Sequence, residues 1–463
     1  MLLLETVDAL APYTWLLVFA GVIAFALAIG IGANDVSNTF GSAVGAGTLS
    51  LRQAVVIACV FELLGSVLLG GKVSALIKEK LIDHDAFKDR PDVLLLVLVA
   101  ALISSAAWLL LATFLRLPVS TTHTVVGSVL GAGVVAHGLS AIRWKAIGWI
   151  VAAWFLSPVL TCLLATVAFR ILRQAVLRQD PRLSLQRANR FIPALAFVIA
   201  IANVACISVN AALRPAVAVP VALVVGVAAA CTPSLFTRVI RVLSRPTPAK
   251  MDIELEQQTA APGRLVRSVS FDEHVAALHE RAEHFPADTE RALSTVQCLT
   301  AMFNAFTHGS NDVSNSVGLF SAVVTLFQKG TTRDHGGIPP WILSVGGVGI
   351  SLGLVLFGHR LMSTMGKRLS KITPSRGIVI DVTSAFIVML ASQFGMTVSS
   401  TQCVVGSTIG VGAAEGVRQG VNWRLVLRTV FGWIGTLVVS SLTSAAVFSF
   451  AAFTPSAVSP THG

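Results

Sequence analysis

The sequence contains a series of apolar stretches that are each about as long as a membrane is thick. A helix needs about 20 apolar residues to cross the hydrocarbon core of a bilayer. Hydrophobic residues make up 54% of the 463 residues and charged residues only 12%, against about 25% charged residues in ordinary soluble proteins. The chain is therefore predicted to be an all-α polytopic membrane protein with about 12 transmembrane helices. The predicted spans lie near 13–33, 52–70, 92–114, 118–137, 145–169, 191–210, 215–240, 293–308, 341–358, 377–394, 397–414 and 424–450.

The composition also limits the classes of function. The six cysteines lie in apolar segments at unrelated spacings, which argues against a disulfide framework or a cysteine metal site. The net charge of +11 could suggest nucleic acid, but the arginines cluster in short loops between apolar spans. That pattern is typical of the cytoplasmic loops of membrane proteins. The expected partners are the lipid bilayer and small solutes, and no nucleic acid is expected.

A polar motif interrupts the apolar pattern twice. The sequence NDVSN occurs at 34–38, directly after the first apolar stretch, and again at 311–315. The segments 35–49 and 312–327 are too polar and Gly-rich for ordinary spans. Irregular backbone at membrane depth is tolerated only where protein or a water-filled cavity surrounds it. Both segments are therefore predicted to be re-entrant or broken helices.

A second pair of motifs indicates that the chain is duplicated. LPVSTTHTVVGSVLGAG at 117–133 matches MTVSSTQCVVGSTIGVG at 396–412, in the same order relative to NDVSN. An odd number of spans separates the first span from its counterpart near 293, so the halves are predicted to be inverted repeats, an architecture of secondary transporters. The predicted division is a first repeat over 1–170, connecting transmembrane helices over 171–242, a linker over 243–292 and a second repeat over 293–463.

Basic residues predict the orientation. Between Arg170 and Arg190 lie six arginines against Asp180 alone, as in a cytoplasmic loop. Residues 243–292 mix charges of both signs with Pro, Gln and Ser, and are predicted to be a cytoplasmic, partly disordered linker. This orientation puts both chain termini outside, and the expected location is the plasma membrane.

Acids within the predicted membrane segments are candidates for a cation site. An ionised carboxylate in a membrane needs a partner such as a cation, a proton or a cluster of donors. Carboxylate and carboxamide oxygens are typical ligands of hard cations. Helix capping by these Asn and Asp residues remains an alternative. The predicted Na⁺ ligands are Asp35, Asn38, Asp312 and Asn315, and Glu62 and Asp381 are further candidates for binding a cation or proton.

Two runs of hydroxyl residues are candidates for an anion site. Each begins a Gly-rich apolar segment, so that hydroxyls and unpaired backbone amides lie at a helix N-terminus, which favours anions. Two such ends facing each other could hold a tetrahedral oxyanion without Arg or Lys. Capping and helix packing by small residues remain the alternative, and His123, whose counterpart is Gln402, is interpreted as structural. The candidate residues are Ser120, Thr121, Thr122, Ser399, Ser400 and Thr401, with Asn34 and Asn311 of the repeated motif.

Acidic residues beside an anion site would repel the anion unless a cation binds first. This electrostatic conflict predicts that cation entry and anion entry are coupled.

The paired motifs GANDVSNTFGSAVG and GSNDVSNSVG, with LPVSTTHTVVGS and VSSTQCVVGS, resemble the inorganic phosphate transporter (PiT) family. The resemblance covers nearly the whole chain apart from 243–292 and the termini. It implies uptake of inorganic phosphate coupled to Na⁺ or, in some members, to H⁺. It is also compatible with a homodimer.

The predicted function is a secondary active transporter that imports phosphate by symport with Na⁺ or H⁺ through alternating access. No cofactor is expected apart from Na⁺, which acts as the coupling ion. One alternative is a proton-coupled permease for sulfate or another oxyanion. A passive anion channel or a scaffold would differ by failing to accumulate the anion, and an intramembrane hydrolase with Asp35 and Asp312 as a dyad would leave the hydroxyl runs without a role.

Overall fold

The chain folds into a bundle of helices. The structure, a computed structural model, describes residues 10–115, 117–210, 215–231, 278–331, 337–358 and 369–453. The helices in these ranges are α1 Thr14–Asn34, α2 Val36–Thr39, α3 Gly41–Gly45, α4 Leu51–Leu69, α5 Gly71–Lys80, α6 Pro91–Phe114, α7 Thr121–His137, α8 Trp144–Leu172, α9 Pro181–Asn210, α10 Pro215–Cys231, α11 Ala287–Lys329, α12 Pro340–Phe357, α13 Pro374–Gln393, α14 Ser400–Glu415 and α15 Trp423–Phe453.

Many of these helices can cross a membrane. Among the described residues, eight helical stretches are long and apolar enough to do so, which agrees with a polytopic membrane protein. The helices α7 and α14 have 17 and 16 residues, so they extend about 26 and 24 Å at 1.5 Å per residue. That is less than the roughly 30 Å of a hydrocarbon core. The predicted spans 118–137 and 397–414 are therefore helical but shorter than each of the eight stretches.

The two copies of the polar motif differ in their backbone. In the first copy α1 ends at Asn34, and the short helices α2 and α3 follow before the chain turns at Gly47, whose φ is +72°. This interruption confirms the prediction for 35–49. In the second copy α11 runs unbroken for 43 residues, so the predicted break within 312–327 is wrong. In the NDVSN register, Ala322 and Val324 replace Gly45 and Gly47, and the second copy therefore lacks the glycines that permit the turn.

The helix crossings repeat between the two halves. The helix α1 packs against α12, and its counterpart α11 packs against α4. A Cβ atom on Gly32 would overlap the carbonyl oxygen of Ile350, and one on Gly309 would overlap that of Glu62. Gly32 and Gly309 are equivalent in the NDVSN register, and the sequence alignment also pairs Glu62 with Ile350. Equivalent residues thus make equivalent close contacts, as a duplicated fold requires.

The ends of α8, α13 and α14 meet the segment that precedes α11. We call this contact the Arg376 cluster, and its residues are Arg376, Glu415, Phe169, Phe285 and Glu283. Arg376 is buried at the start of α13, and it donates hydrogen bonds to the Glu415 carboxylate at the end of α14 and, at 2.7 Å, to the carbonyl oxygen of Glu283. Its guanidinium carbon lies 5.8 Å from the Phe169 ring centre and 5.1 Å from that of Phe285, within range of cation–π attraction.

Part of the predicted linker is ordered against this cluster. The Glu283 carboxylate accepts two hydrogen bonds from Arg178, at 2.7 and 3.0 Å, and these bonds hold the pKa of Glu283 below its usual range. The helix α11 begins at Ala287, before the predicted boundary at 293. Residues 243–277 of the linker lie outside the described residues, and the division of the chain into four parts stays a prediction.

Candidate functional site

The two hydroxyl runs meet in the interior of the bundle. Ser120 is the N-cap of α7 and Ser399 the N-cap of α14, and each side-chain oxygen accepts a hydrogen bond from a backbone N–H three residues on. The two hydroxyl oxygens lie 3.0 Å apart, and both residues are buried. Two helix N-termini, with their unpaired amides and partial positive charge, therefore face the same point.

The carboxylate of Asp35 lies against these helix ends. One oxygen accepts a hydrogen bond from the Thr121 hydroxyl, and the other accepts one from Thr401 at 3.2 Å. Thr121 comes from the first half of the chain and Thr401 from the second. The site is therefore assembled from both halves.

The carboxylate of Asp312 has different neighbours. The Ser400 hydroxyl and the Asn311 amide donate to its oxygens, the latter at 2.7 Å. The Nε2 atom of His308 lies 2.6 Å from one of these oxygens, and its Nδ1 atom lies 2.8 Å from an oxygen of Glu62. His308 thus connects two buried carboxylates.

The sequence interpretation missed His308. It lies four residues before Asp312 on α11, which puts the two side chains on the same helix face. A histidine one turn before the acid of the repeated motif was the signal that could have found it. One ligand atom each of Asp35, His308 and Asp312 lies within 4.8 Å of the others.

The two asparagines that begin the repeated motif hold the segments that precede the hydroxyl runs. The Asn34 amide donates to the Leu117 carbonyl at 3.0 Å, and its oxygen accepts from the Val119 N–H at 3.2 Å. The Asn311 amide donates to the Val398 carbonyl at 2.8 Å. Val119 and Val398 are equivalent positions, so both asparagines position the loop before a capping serine.

The remaining predicted residues divide into three groups. Thr122 is near the site, but its hydroxyl points to the Val398 carbonyl at 3.4 Å. Asn315 is buried on α11, whereas the side chain of Asn38 lies outside the described residues. Asp381 does not contact Asp35 or Asp312, and it accepts hydrogen bonds from Ser42 and Thr300 instead.

Several buried polar atoms here have no hydrogen-bond partner among the described residues. They include Glu62 Oε1, Asn311 Oδ1, both polar side-chain atoms of Asn315, His308 Nε2 and Gln402 Oε1. Buried polar atoms in folded proteins are nearly always paired. Their oxygens are of the kind that bind hard cations, and the residues present therefore fit a cation such as Na⁺.

Comparison with known proteins agrees with this geometry. The model of the phosphate transporter family matches residues 31–444. A putative phosphate permease of Pyrococcus furiosus is 34% identical over 433 residues, which cover 92% of this chain and 94% of that protein. The chloroplastic inorganic phosphate transporter 2-1 of Arabidopsis thaliana is 32% identical over 94% of this chain and 72% of its own length.

The fold has been seen before as well. A solved structure described as the sodium-dependent phosphate transporter superposes with a TM-score of 0.77 at 30% identity, over 94% of this chain and 99% of that one. The family and this structural neighbour are transporters, and the intramembrane hydrolase alternative is set aside. The chain is an integral membrane protein that belongs to the phosphate transporter family.

Proposed function

We propose that this chain is a secondary active transporter that imports inorganic phosphate by symport with Na⁺, through alternating access. Its membership of the phosphate transporter family and the names of its relatives support phosphate as the substrate. The sodium dependence named for the structural neighbour supports Na⁺ as the coupling ion. The plasma membrane location, the outside termini and a homodimer remain part of the same proposal.

One observation supports the mechanism: the hydroxyl groups suited to bind the anion donate their hydrogen bonds to carboxylates. Thr121 and Thr401 donate to Asp35, and Ser400 donates to Asp312. A hydroxyl has one proton, which cannot serve a carboxylate and an anion at the same time. The anion therefore gains these donors only after the carboxylates release them.

A cation provides that release. Na⁺ bound to Asp35 or Asp312 neutralises the carboxylate and weakens its hold on the hydroxyl protons. In this scheme cation binding both removes the repulsion and supplies the donors, which makes phosphate affinity depend on the cation.

Proton coupling has a structural basis of its own in His308. Because the ring contacts Glu62 on one side and Asp312 on the other, it offers a place for a proton between two acids. The carboxylates and unpaired amide oxygens favour Na⁺. We therefore keep H⁺ as the second candidate for the coupling ion.

The two carboxylates also favour phosphate over sulfate. Phosphate near neutral pH keeps at least one proton, and its P–OH group can donate to Asp35 or Asp312. Sulfate has no such proton, so its oxygens would face the carboxylates with no hydrogen bond between them. An unpaired buried acceptor of this kind costs affinity. A proton-coupled sulfate permease is thus the weaker candidate.

Uptake of radiolabelled phosphate into proteoliposomes tests the proposal. A Na⁺ gradient and a H⁺ gradient are imposed separately, with labelled sulfate as the competing substrate. We expect accumulation of phosphate above its external concentration with the Na⁺ gradient, and little accumulation of sulfate. Equilibration without accumulation would indicate a channel. Accumulation driven by the H⁺ gradient alone would show that H⁺, and not Na⁺, is the coupling ion.

A further inference from the structure

His123 contacts the capping serine of its own half of the site. The residue is buried in the first turn of α7, and its Nδ1 atom lies 2.7 Å from the Ser120 hydroxyl oxygen. Its ring stacks on Trp154 with centroids 3.8 Å apart and planes 18° apart. This stack fixes the plane of the imidazole, and Nδ1 is therefore held toward Ser120.

The second half lacks this contact. Gln402 occupies the equivalent position, and its backbone N–H donates to the Ser399 hydroxyl oxygen at 3.4 Å. Its side-chain oxygen has no hydrogen-bond partner among the described residues. The paired hydroxyls of Ser120 and Ser399 are therefore connected to an imidazole on one side only.

The number of protons decides what this imidazole does. The Ser120–Ser399 pair has two hydroxyl protons. If Nδ1 of His123 accepts the Ser120 proton, the Ser399 proton must fill the gap between the two oxygens, and no proton remains for an anion. If Nδ1–H donates to Ser120, the Ser120 proton lies between the two oxygens and the Ser399 proton is left for the anion.

We propose that His123 is a positioning residue for phosphate binding: it donates its Nδ1 proton to Ser120 and thereby leaves the Ser399 hydroxyl proton for the anion. The inference rests on the proposed function, since it assigns a role within the same site. Loss of one hydrogen bond to a charged group lowers affinity roughly ten- to a hundredfold. Removal of the imidazole therefore lowers phosphate affinity by about this factor.

Three substitutions separate this role from simple packing. In His123→Asn the amide nitrogen lies close to the place of Nδ1 and can still donate to Ser120. In His123→Gln the longer side chain reaches past it, and at the equivalent position the side-chain oxygen of Gln402 has no hydrogen-bond partner among the described residues. His123→Ala removes both the ring and the donor.

Equilibrium binding of ³²P-labelled phosphate to the purified full chain in saturating Na⁺ provides the test, with thermal unfolding of each variant as the check on folding. We expect His123→Asn to bind within about threefold of the unmodified protein, and His123→Gln and His123→Ala to bind at least about tenfold more weakly. In a Ser120→Ala background, His123→Gln should cause no further loss, because the two residues act through one hydrogen bond.

Two outcomes contradict the inference in different ways. Equal affinities of the Asn and Gln variants, or an additive loss in the Ser120→Ala background, would overturn the role of His123 alone. Absence of phosphate binding by the unmodified chain would overturn the proposed function and this inference with it. The Asn and Gln variants keep the test valid if His123→Ala does not fold.

Discussion

The two halves of the site contain the same motif but give their carboxylates different partners. Asp35 is held by two threonine hydroxyls, one from each half. Asp312 is held by a hydroxyl, an amide and the ring of His308. A histidine can supply a positive charge, whereas hydroxyls cannot. Duplication therefore preserved the scaffold, but Asp35 depends more on an added cation than Asp312 does.

The halves also differ at the helix ends away from the site. The second half has the buried Arg376–Glu415 pair. In the register that pairs Val119 with Val398, the equivalent positions of the first half hold Val97 in α6 and Ala136 near the end of α7. One end of the symmetric scaffold is therefore fixed by charge and the other by apolar contacts.

The largest expected effect comes from neutralising either carboxylate. Asp35→Asn and Asp312→Asn should each abolish concentrative uptake while the protein remains folded and inserted, because each removes the negative charge that attracts the cation and nearly preserves shape. Uptake into proteoliposomes is the measurement. The partly exposed Asp92, paired with Arg90, provides the control, since Asp92→Asn should leave uptake nearly unchanged. Normal uptake in both site variants would contradict the assignment of Asp35 and Asp312 to the cation site.

The buried pair of the second half should have the next largest effect. Arg376→Met leaves Glu415 without its charged partner, at 10% side-chain exposure. Breaking such a pair costs about 3–5 kcal/mol, whereas replacing both partners with apolar residues can be neutral. Thermal unfolding should thus show a large loss in Arg376→Met and recovery in Arg376→Met/Glu415→Leu. A double variant as unstable as Arg376→Met would show that the unpaired charge of Glu415 is not the cause of the lost stability.

Two equivalent threonines should differ in their contribution to phosphate binding. Thr401 donates to Asp35, whereas Thr122 points to a backbone carbonyl at 3.4 Å. A hydrogen bond to a charged group is worth about 1.5–3 kcal/mol, so that Thr401→Ala should weaken phosphate binding roughly ten- to a hundredfold. Thr122→Ala should cause a smaller loss of phosphate affinity. Thr401→Ser keeps the hydroxyl and should bind phosphate nearly as tightly as the unmodified protein. If the two Ala variants lost equal affinity in calorimetry, the halves would be functionally equivalent.

The helix crossings should respond alike in both halves. Gly32→Ala and Gly309→Ala each place a methyl group against the backbone of the facing helix, and overpacking of this kind costs about 1–3 kcal/mol. A methyl group on Gly148, in α8, would meet no atom within 4 Å apart from the adjacent backbone of its own helix, so Gly148→Ala should be neutral or slightly stabilising. A melting temperature that fell in only one of Gly32→Ala and Gly309→Ala would contradict the equivalence of the two helix crossings.

The smallest effect concerns pH at the Arg376 cluster. Arg178 lowers the pKa of Glu283 in the folded chain, and the resulting stability is present above the ordinary glutamate pKa of about 4.3. It is lost as the pH falls through the lower folded value. The melting temperatures of the unmodified protein and Glu283→Gln should thus differ slightly at pH 7 and converge on acidification. A difference that grew in acid would contradict this sign.

The sequence predicted the scaffold well because its signals are local and repeated. Apolar length predicted the membrane helices, and the duplicated hydroxyl runs suggested two helix N-termini that could face each other. His308 escaped because one histidine in a helix does not reveal which acids face it. The separation of Asp381 from the site also depends on helix packing. The polar composition of 312–327 alone predicts a break, but the continuity of α11 depends on Ala322 and Val324, which replace the glycines of the first copy.

Calorimetry on purified protein tests the central claim, that cation binding releases the hydroxyls for phosphate. Phosphate is titrated in Na⁺ and in choline, and Na⁺ is titrated without phosphate, for the unmodified chain, Asp35→Asn and Thr401→Ala. We predict at least about tenfold tighter phosphate binding in Na⁺, loss of this difference in Asp35→Asn, and nearly unchanged Na⁺ affinity in Thr401→Ala. Equal phosphate affinity in Na⁺ and choline, or a Thr401→Ala variant that loses Na⁺ and keeps phosphate, would contradict the account.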